Sequence, residues 1–257
     1  MITQIRRMAL AVTIFVVLIS IRSVADAQHT RPRYAEDDPR THRHRPTGIV
    51  TDRISTKSLQ RWNKIKQFVF LKDTEGEPLH PILRSLWDRL DKSGHTIYLE
   101  LPDKNRVMSS LAGSFRIERL DPSGQRHVGV IKLNLHNIDL AYVGPEAMRA
   151  NGFIPFERLN KEERYVEVLG HELAHAVYIL EDLALATKVD HLIEQTNALL
   201  LANYGQYQTT ILKPEMHQRL LERDLLLADL ETNAEAVEVQ VWKELVQSKD
   251  REIREPR

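Results

Sequence analysis

Two histidines four residues apart, His171 and His175, enclose Glu172 in the run Val168-Leu-Gly-His-Glu-Leu-Ala-His-Ala-Val177. On a helix, residues four apart project from one face. Both imidazoles can therefore meet one metal ion, while Glu172, one position round, can reach a water on that ion. The five letters H-E-x-x-H recur by chance, so their setting has to carry weight. The flanking residues are uncharged and can pack, which would bury the helix that carries the ligands. An alternating, strand-like stretch precedes it. The competing reading is a pair of histidines on a half-buried helix, bonded to solvent or to carbonyls. The chain has no cysteine. Thiolate zinc, iron–sulfur sites, disulfides and a thiol nucleophile are excluded, and any metal must be held by histidines and carboxylates.

The elements that would position this motif follow from periodicity. Ser55 to Leu71 places Leu59, Trp62, Ile65, Phe68 and Val69 at helical spacing, and Pro78 to Leu90 does the same with Ile82, Leu83, Leu86, Trp87 and Leu90. Asp91-Lys-Ser-Gly94 ends that second helix. His95–Leu101, Ser114–Leu120 and Arg126–Leu135 alternate as strands do, with a turn at Asp121-Pro-Ser-Gly124 between the last two. From Pro155 the chain reads as helix: Leu159–Leu180, Leu183 to about Tyr204, and Pro214 to about Ser248, the last as one helix or two joined. Helices, a small antiparallel sheet of about three strands, then helices again predict an α+β fold, residues 49–257 forming one domain.

The 257 residues carry 36 basic and 36 acidic side chains. No bulk charge argues for nucleic acid or an acidic membrane surface, and none hints at substrate charge. At the N-terminus, Arg6 and Arg7 precede the apolar run Met8–Ile21, and Ala25-Asp-Ala27 follows. This predicts a signal peptide over residues 1–27, export to the periplasm or medium, and a mature chain beginning at Gln28. The apolar run is shorter than the roughly 20 residues that span a bilayer, so no stable membrane insertion is expected after cleavage. Residues 28–48 are rich in proline and charge and nearly devoid of aliphatic side chains. They are expected to be a flexible leader.

The motif, the strand before it and a later helix, roughly Arg126 to Trp242, resemble the zincin metallopeptidases. The resemblance implies a zincin-like fold, Zn²⁺ as cofactor, a peptide or protein substrate, His171 and His175 as zinc ligands, and Glu172 as general base. Metzincins continue as H-E-x-x-H-x-x-G-x-x-H. Here Tyr178 replaces the glycine and Glu181 the last histidine. On an unbroken helix Glu181 lies about 15 Å along the axis from His171, out of reach of the same ion. Gluzincins take the third ligand from a later helix through E-x-x-x-D or E-x-x-A-[DE]. Leu230-Glu-Thr-Asn-Ala-Glu-Ala-Val-Glu238 resembles that pattern, most closely in its minimal form. Glu231 then fits the ligand, Ala234 the small residue that permits close approach, and Glu235 the carboxylate that would orient a zinc-bound histidine through its other ring nitrogen. Glu stands at 235 where many members have Asp. Glu181, Glu235 and Glu238 remain alternatives for the third ligand, and a solvated acidic face is the competing reading of all three glutamates on this helix. The apolar stripe Leu230, Ala234, Val237, Val241 and Leu245 beside them argues that the helix is packed.

Zinc peptidases hold substrate as an added strand on a sheet edge beside the motif helix, and Val128–Leu135 is the nearest candidate. Asn134, His136, Asn137, Asp139 and Tyr142 after it could line a cleft or form a turn. Candidates for an oxyanion donor are Tyr204, Tyr207 and His191, with Tyr142 and Tyr178 behind them. The expected chemistry is hydrolysis by a zinc-activated water, Glu172 moving the proton. Two other classes compete: a zinc-binding but inactive binding module, against which the intact Glu172 argues, and a helical interaction protein in which the pentad is accidental.

Overall fold

The computed structural model describes residues 47–102, 112–121, 126–141, 159–202 and 214–254. The expected signal peptide, nearly all of the leader, Pro122–Gly124 of the expected turn, Tyr142, Tyr204 and Tyr207 lie outside the described residues. The chain is mixed α/β, with strands β1 (Gly48–Val50), β2 (Thr96–Glu100), β3 (Gly113–Arg119) and β4 (Val128–Leu133). Its helices are α1 (Thr56–Phe70), α2 (Pro81–Lys92), α3 (Leu135–Ala141), α4 (Lys161–Leu180), α5 (Leu183–Ala202) and α6 (Pro214–Arg254). The elements fall into two compact units. The larger is Arg45–Thr187 with Asp229–Arg257, and the smaller includes Lys188–Ala228. Among the described residues no helix is long and apolar enough to cross a membrane.

In the larger unit α1 falls within a residue of its expected bounds, whereas α2, expected from Pro78, starts at Pro81, and Pro78 pairs with Lys72 in a β-bridge. Ser55 caps α1 by accepting from the Ser58 amide, and Pro81 opens α2 at a position where no amide proton is needed. The Ser93 amide and hydroxyl both donate to the Leu90 carbonyl, closing α2. The apolar stripe of α1 buries Trp62, Ile65 and Val69, and that of α2 buries Leu83, Leu86, Trp87 and Leu90. The Trp62 and Trp87 rings stack at 5.8 Å between centroids. Burying a side chain of this size contributes roughly 3 kcal/mol, so this contact anchors the pair of helices. Leu59, expected on the inner face of α1, is exposed instead.

The sheet corrects the expectation of an antiparallel one. Its order is β1-β2-β4-β3, and two of its three pairings are parallel: β1 with β2, and β2 with β4. Only β3 and β4 pair antiparallel. Parallel neighbours need long crossovers. The α1–α2 excursion supplies one, and the segment containing β3 supplies the other. β1 is only three residues long and starts at Gly48, the last residue of the expected leader, so alternation could not reveal it. Ile97, Leu99, Ile131 and Leu133 join α1, α2 and α4 in one apolar core. On the other face, Arg53 lies 3.5 Å from the Tyr98 ring centroid and pairs with Glu100 and Glu118.

Leu135–Ala141, expected as a strand end followed by cleft-lining residues or a turn, is helix α3. Asn134 accepts from the Asn137 amide at the start of α3. Asp139 on α3 is tied to Tyr165 of α4 and to Lys161 and Arg61. These polar residues tether α3 to its neighbours.

In the smaller unit, α5 buries Val189, Leu192 and Thr196, and Arg219 of α6 donates to the Gln195 side chain.

Candidate metal centre

Helix α4 carries the motif and is fixed at its start by a reciprocal cap. Asn160 accepts from the Glu163 amide at 2.9 Å, and the Glu163 carboxylate accepts from the Asn160 amide at 2.6 Å. Its apolar residues, among them Val166, Leu169, Leu173, Ala176 and Val177, are buried in the core. This is the packed setting that the uncharged flanks implied. On another face α6 comes very close at Gly170. A Cβ there would sit 3.0 and 3.2 Å from the two methyl carbons of Val241. A glycine inside a helix costs about 1 kcal/mol relative to alanine, and here it admits the neighbouring helix.

That approach brings α6 carboxylates to the α4 histidines. The Nε2 atoms of His171 and His175 lie 3.0 Å apart. Glu231 reaches both: its Oε2 is 3.2 Å from His171 Nε2 and its Oε1 is 3.6 Å from His175 Nε2. These three side chains offer ligand atoms that all lie within 4.8 Å of one another. Donors sharing a tetrahedral ion at about 2.05 Å would be about 3.3 Å apart; each ring here faces a different oxygen of Glu231, and the group could hold one ion between two imidazoles and a carboxylate.

Charge points the same way. Three carboxylates, Glu172, Glu231 and Glu238, surround two imidazoles. Burial disfavours charge on His171, yet contacts with Glu231 and Glu238 raise its pKa to about 10. Hydrogen bonds from the two histidines lower Glu231 to about 2. Burial pushes Glu172 up to about 8, with His171 opposing it. Glu231 thus lies ionised between the histidines and pairs with a protonated His171, or with a cation that takes the place of that proton.

Glu172 is 5% exposed, and its Oε2 has no hydrogen-bond partner among the described residues. Strand β3 passes directly over it. A Cβ on Gly113 would sit 2.8 Å from Glu172 Cγ and 2.9 Å from Cδ, so any larger residue here would displace the Glu172 side chain. β3 is the strand at the sheet edge beside α4, and β4 is interior, flanked by β2 and β3. Val128–Leu135, expected as the edge beside the motif helix, is thus interior, and Gly113–Arg119 is the edge strand there. The Asn134 amide donates to the Ala112 carbonyl, which sets the ladder phase. Ser114 and Arg116 then bond to β4, and the backbone groups of Gly113, Phe115 and Ile117 point away from it.

The other expected residues fall as follows. Glu235 is exposed and is not brought to either histidine. The place assigned to it belongs to Glu238, whose Oε2 accepts from His171 Nδ1 at 2.9 Å. An ionised carboxylate can only accept, so His171 donates from Nδ1, and a metal would take Nε2 in place of that nitrogen's proton. Helical spacing alone offered only a partial signal. Seven residues come within about 20° of two full turns, whereas four overshoot one turn by about 40°, so Glu238 shares the face of Glu231 more closely than Glu235 does. Glu181 ends α4 and is held by Arg89 of α2, far along the helix from His171. Tyr178 is exposed on α4. His191 lies in the smaller unit, 2.9 Å from the Gln195 side-chain nitrogen one turn on. The sequence reading also missed Arg164, which contacts Glu238, and Gly113.

The chain matches no family model, no curated protein and no solved structure.

Proposed function

We propose that this protein is an exported zinc-dependent metallopeptidase of gluzincin type, built on a zincin-like arrangement, with His171, His175 and Glu231 as the zinc ligands and Glu172 as general base. The observation that carries the reading is the convergence of the two Nε2 atoms and the Glu231 carboxylate at 3.0–3.6 Å, with Glu172 on the same helix. Bound zinc supplies Lewis-acid activation of water and of the scissile carbonyl. Glu172 takes a proton from the attacking water and returns it to the leaving amine. Glu238 holds the His171 ring and its tautomer. The outward backbone groups of Gly113, Phe115 and Ile117 pair with an extended peptide, which lays the scissile bond beside Glu172. An edge strand reads main chain, and this favours peptide or protein substrates over small esters. Export rests on the sequence of residues 1–27, and no nucleic-acid partner is expected.

Two measurements test the reading together: zinc content of the purified protein, and turnover of a casein-type substrate with and without a chelator. The expected result is one zinc per chain and hydrolysis that chelation abolishes and zinc restores. Zinc without hydrolysis would leave a metal-binding module. No zinc would leave a helical interaction protein with an accidental pentad.

A further inference from the structure

Glu167 lies one turn before His171 on α4 and is completely buried. Its Oε1 has no hydrogen-bond partner among the described residues, while Oε2 accepts from Arg164 Nη1. Among the described residues the cationic contact of this buried carboxylate is Arg164, so the two side chains hold each other in place. The same Nη1 lies 3.6 Å from Glu238 Oε1. The other oxygen of Glu238 is the one that accepts from His171 Nδ1. The side chains thus form an unbroken chain, Glu167–Arg164–Glu238–His171, that crosses from α4 to α6 and back.

We infer that Arg164 is a positioning residue of the metal centre: anchored on Glu167, its guanidinium fixes the Glu238 carboxylate against His171 Nδ1 and so sets the orientation of a metal ligand. The inference rests on the metal-binding reading above. Glu238 is one-fifth exposed and has a flexible side chain. Without a cation on its second oxygen it can rotate into water, and His171 then loses the acceptor that fixes its tautomer and ring plane. Glu167 and Glu238 also converge on one nitrogen, so removing the cation leaves two carboxylates to repel. The alternative is that Arg164 only stabilises the fold through a buried ion pair.

Zinc affinity, measured by competition with a chromophoric chelator, separates the two. Arg164→Gln alone would leave Glu167 buried and unpaired, so it is combined with Glu167→Gln. Four proteins are compared: wild type, R164Q/E167Q, E238Q, and R164Q/E167Q/E238Q. R164Q/E167Q should weaken zinc binding about 10-fold, and E238Q between 10- and 100-fold, the range for partners of metal ligands. The triple variant should bind no more weakly than E238Q, because Arg164 acts only through Glu238. A purely structural role predicts losses that multiply. Arg164→Lys is the second variant, since it keeps a charge beside Glu167. Its shorter side chain, held there, falls short of Glu238, and affinity should drop several-fold with a changed visible spectrum of the Co²⁺-loaded protein. Wild-type affinity in either R164Q/E167Q or R164K, or multiplying losses in the triple variant, overturns the role of Arg164 and leaves the metal reading standing. Failure of the wild type to bind zinc overturns both.

Discussion

Replacing His80 by leucine should remove a large part of the protein's sensitivity to acid. His80 stands before α2, is 1% exposed, and neither ring nitrogen has a hydrogen-bond partner among the described residues. The Phe68 ring lies against it at 6.1 Å. Burial lowers its pKa from 6.5 to about 4. The unfolded chain takes up a proton as pH falls through 6.5, whereas the folded chain does so only near 4. Above about pH 7.5 neither state is protonated and His80 has no effect on stability. Between pH 6.5 and 4 each unit of acidification favours unfolding by up to about 1.4 kcal/mol. At pH 4.5 the accumulated loss is about 2.5 kcal/mol, a large part of a typical domain's stability. Leucine cannot protonate and is close in volume, so His80→Leu should escape this loss. The assay is urea unfolding at pH 7.5 and pH 4.5, followed by the fluorescence of the stacked Trp62 and Trp87. The other buried histidines, His95 and His127, are common to both proteins, and only the difference between variant and wild type is read. That difference should shift by about 2.5 kcal/mol in favour of the variant on acidification. Parallel stability curves for the two proteins would refute the argument and place the His80 proton elsewhere.

Glu231→Ala should weaken zinc retention by at least 10-fold in the chelator competition, while Glu181→Ala, which loses only a surface pair with Arg89, should leave it unchanged. The opposite pattern would remove the gluzincin assignment. Glu172→Gln should keep zinc but lose about 10²-fold or more in turnover, because the amide cannot accept the water's proton. Near-wild-type turnover in the zinc-loaded variant would remove Glu172 from the mechanism. Gly113→Ala has an allowed backbone but no room beside Glu172, and it should cut turnover about 10²-fold with zinc content and far-UV circular dichroism unchanged. Full turnover in this variant would separate β3 from the reaction. Intact-mass analysis of exported protein should give a chain beginning at Gln28, and a product retaining residues 1–27 would refute the signal-peptide reading.

Local pattern was enough for the longer helices. The three- and four-residue spacing of apolar side chains marks α1, α2 and α4, and the proline at 214 marks a start, because these are preferences of adjacent residues. The spacing of His171 and His175 is legible for the same reason, since one helix carries both. Glu231 was accessible through a pattern together with its place at the border of a packed face. Strand direction was not legible. β2 and β4 alternate whether their neighbours run parallel or antiparallel, and the choice depends on how the chain returns after α1 and α2. β1 is too short to show a period, and nothing local marks β3 rather than β4 as the edge. Glu238 and Glu235 share a helix and a residue type. Which one meets His171 is fixed by where α6 crosses α4, and that crossing depends on Gly170 admitting Val241. Arg164 has meaning only once Glu167 and Glu238 meet at its guanidinium. The sequence by itself determined the longer helices, though not α3, and which residue types could hold a metal. The tertiary structure decided which carboxylate faces which ring, because that depends on contacts between segments more than 60 residues apart.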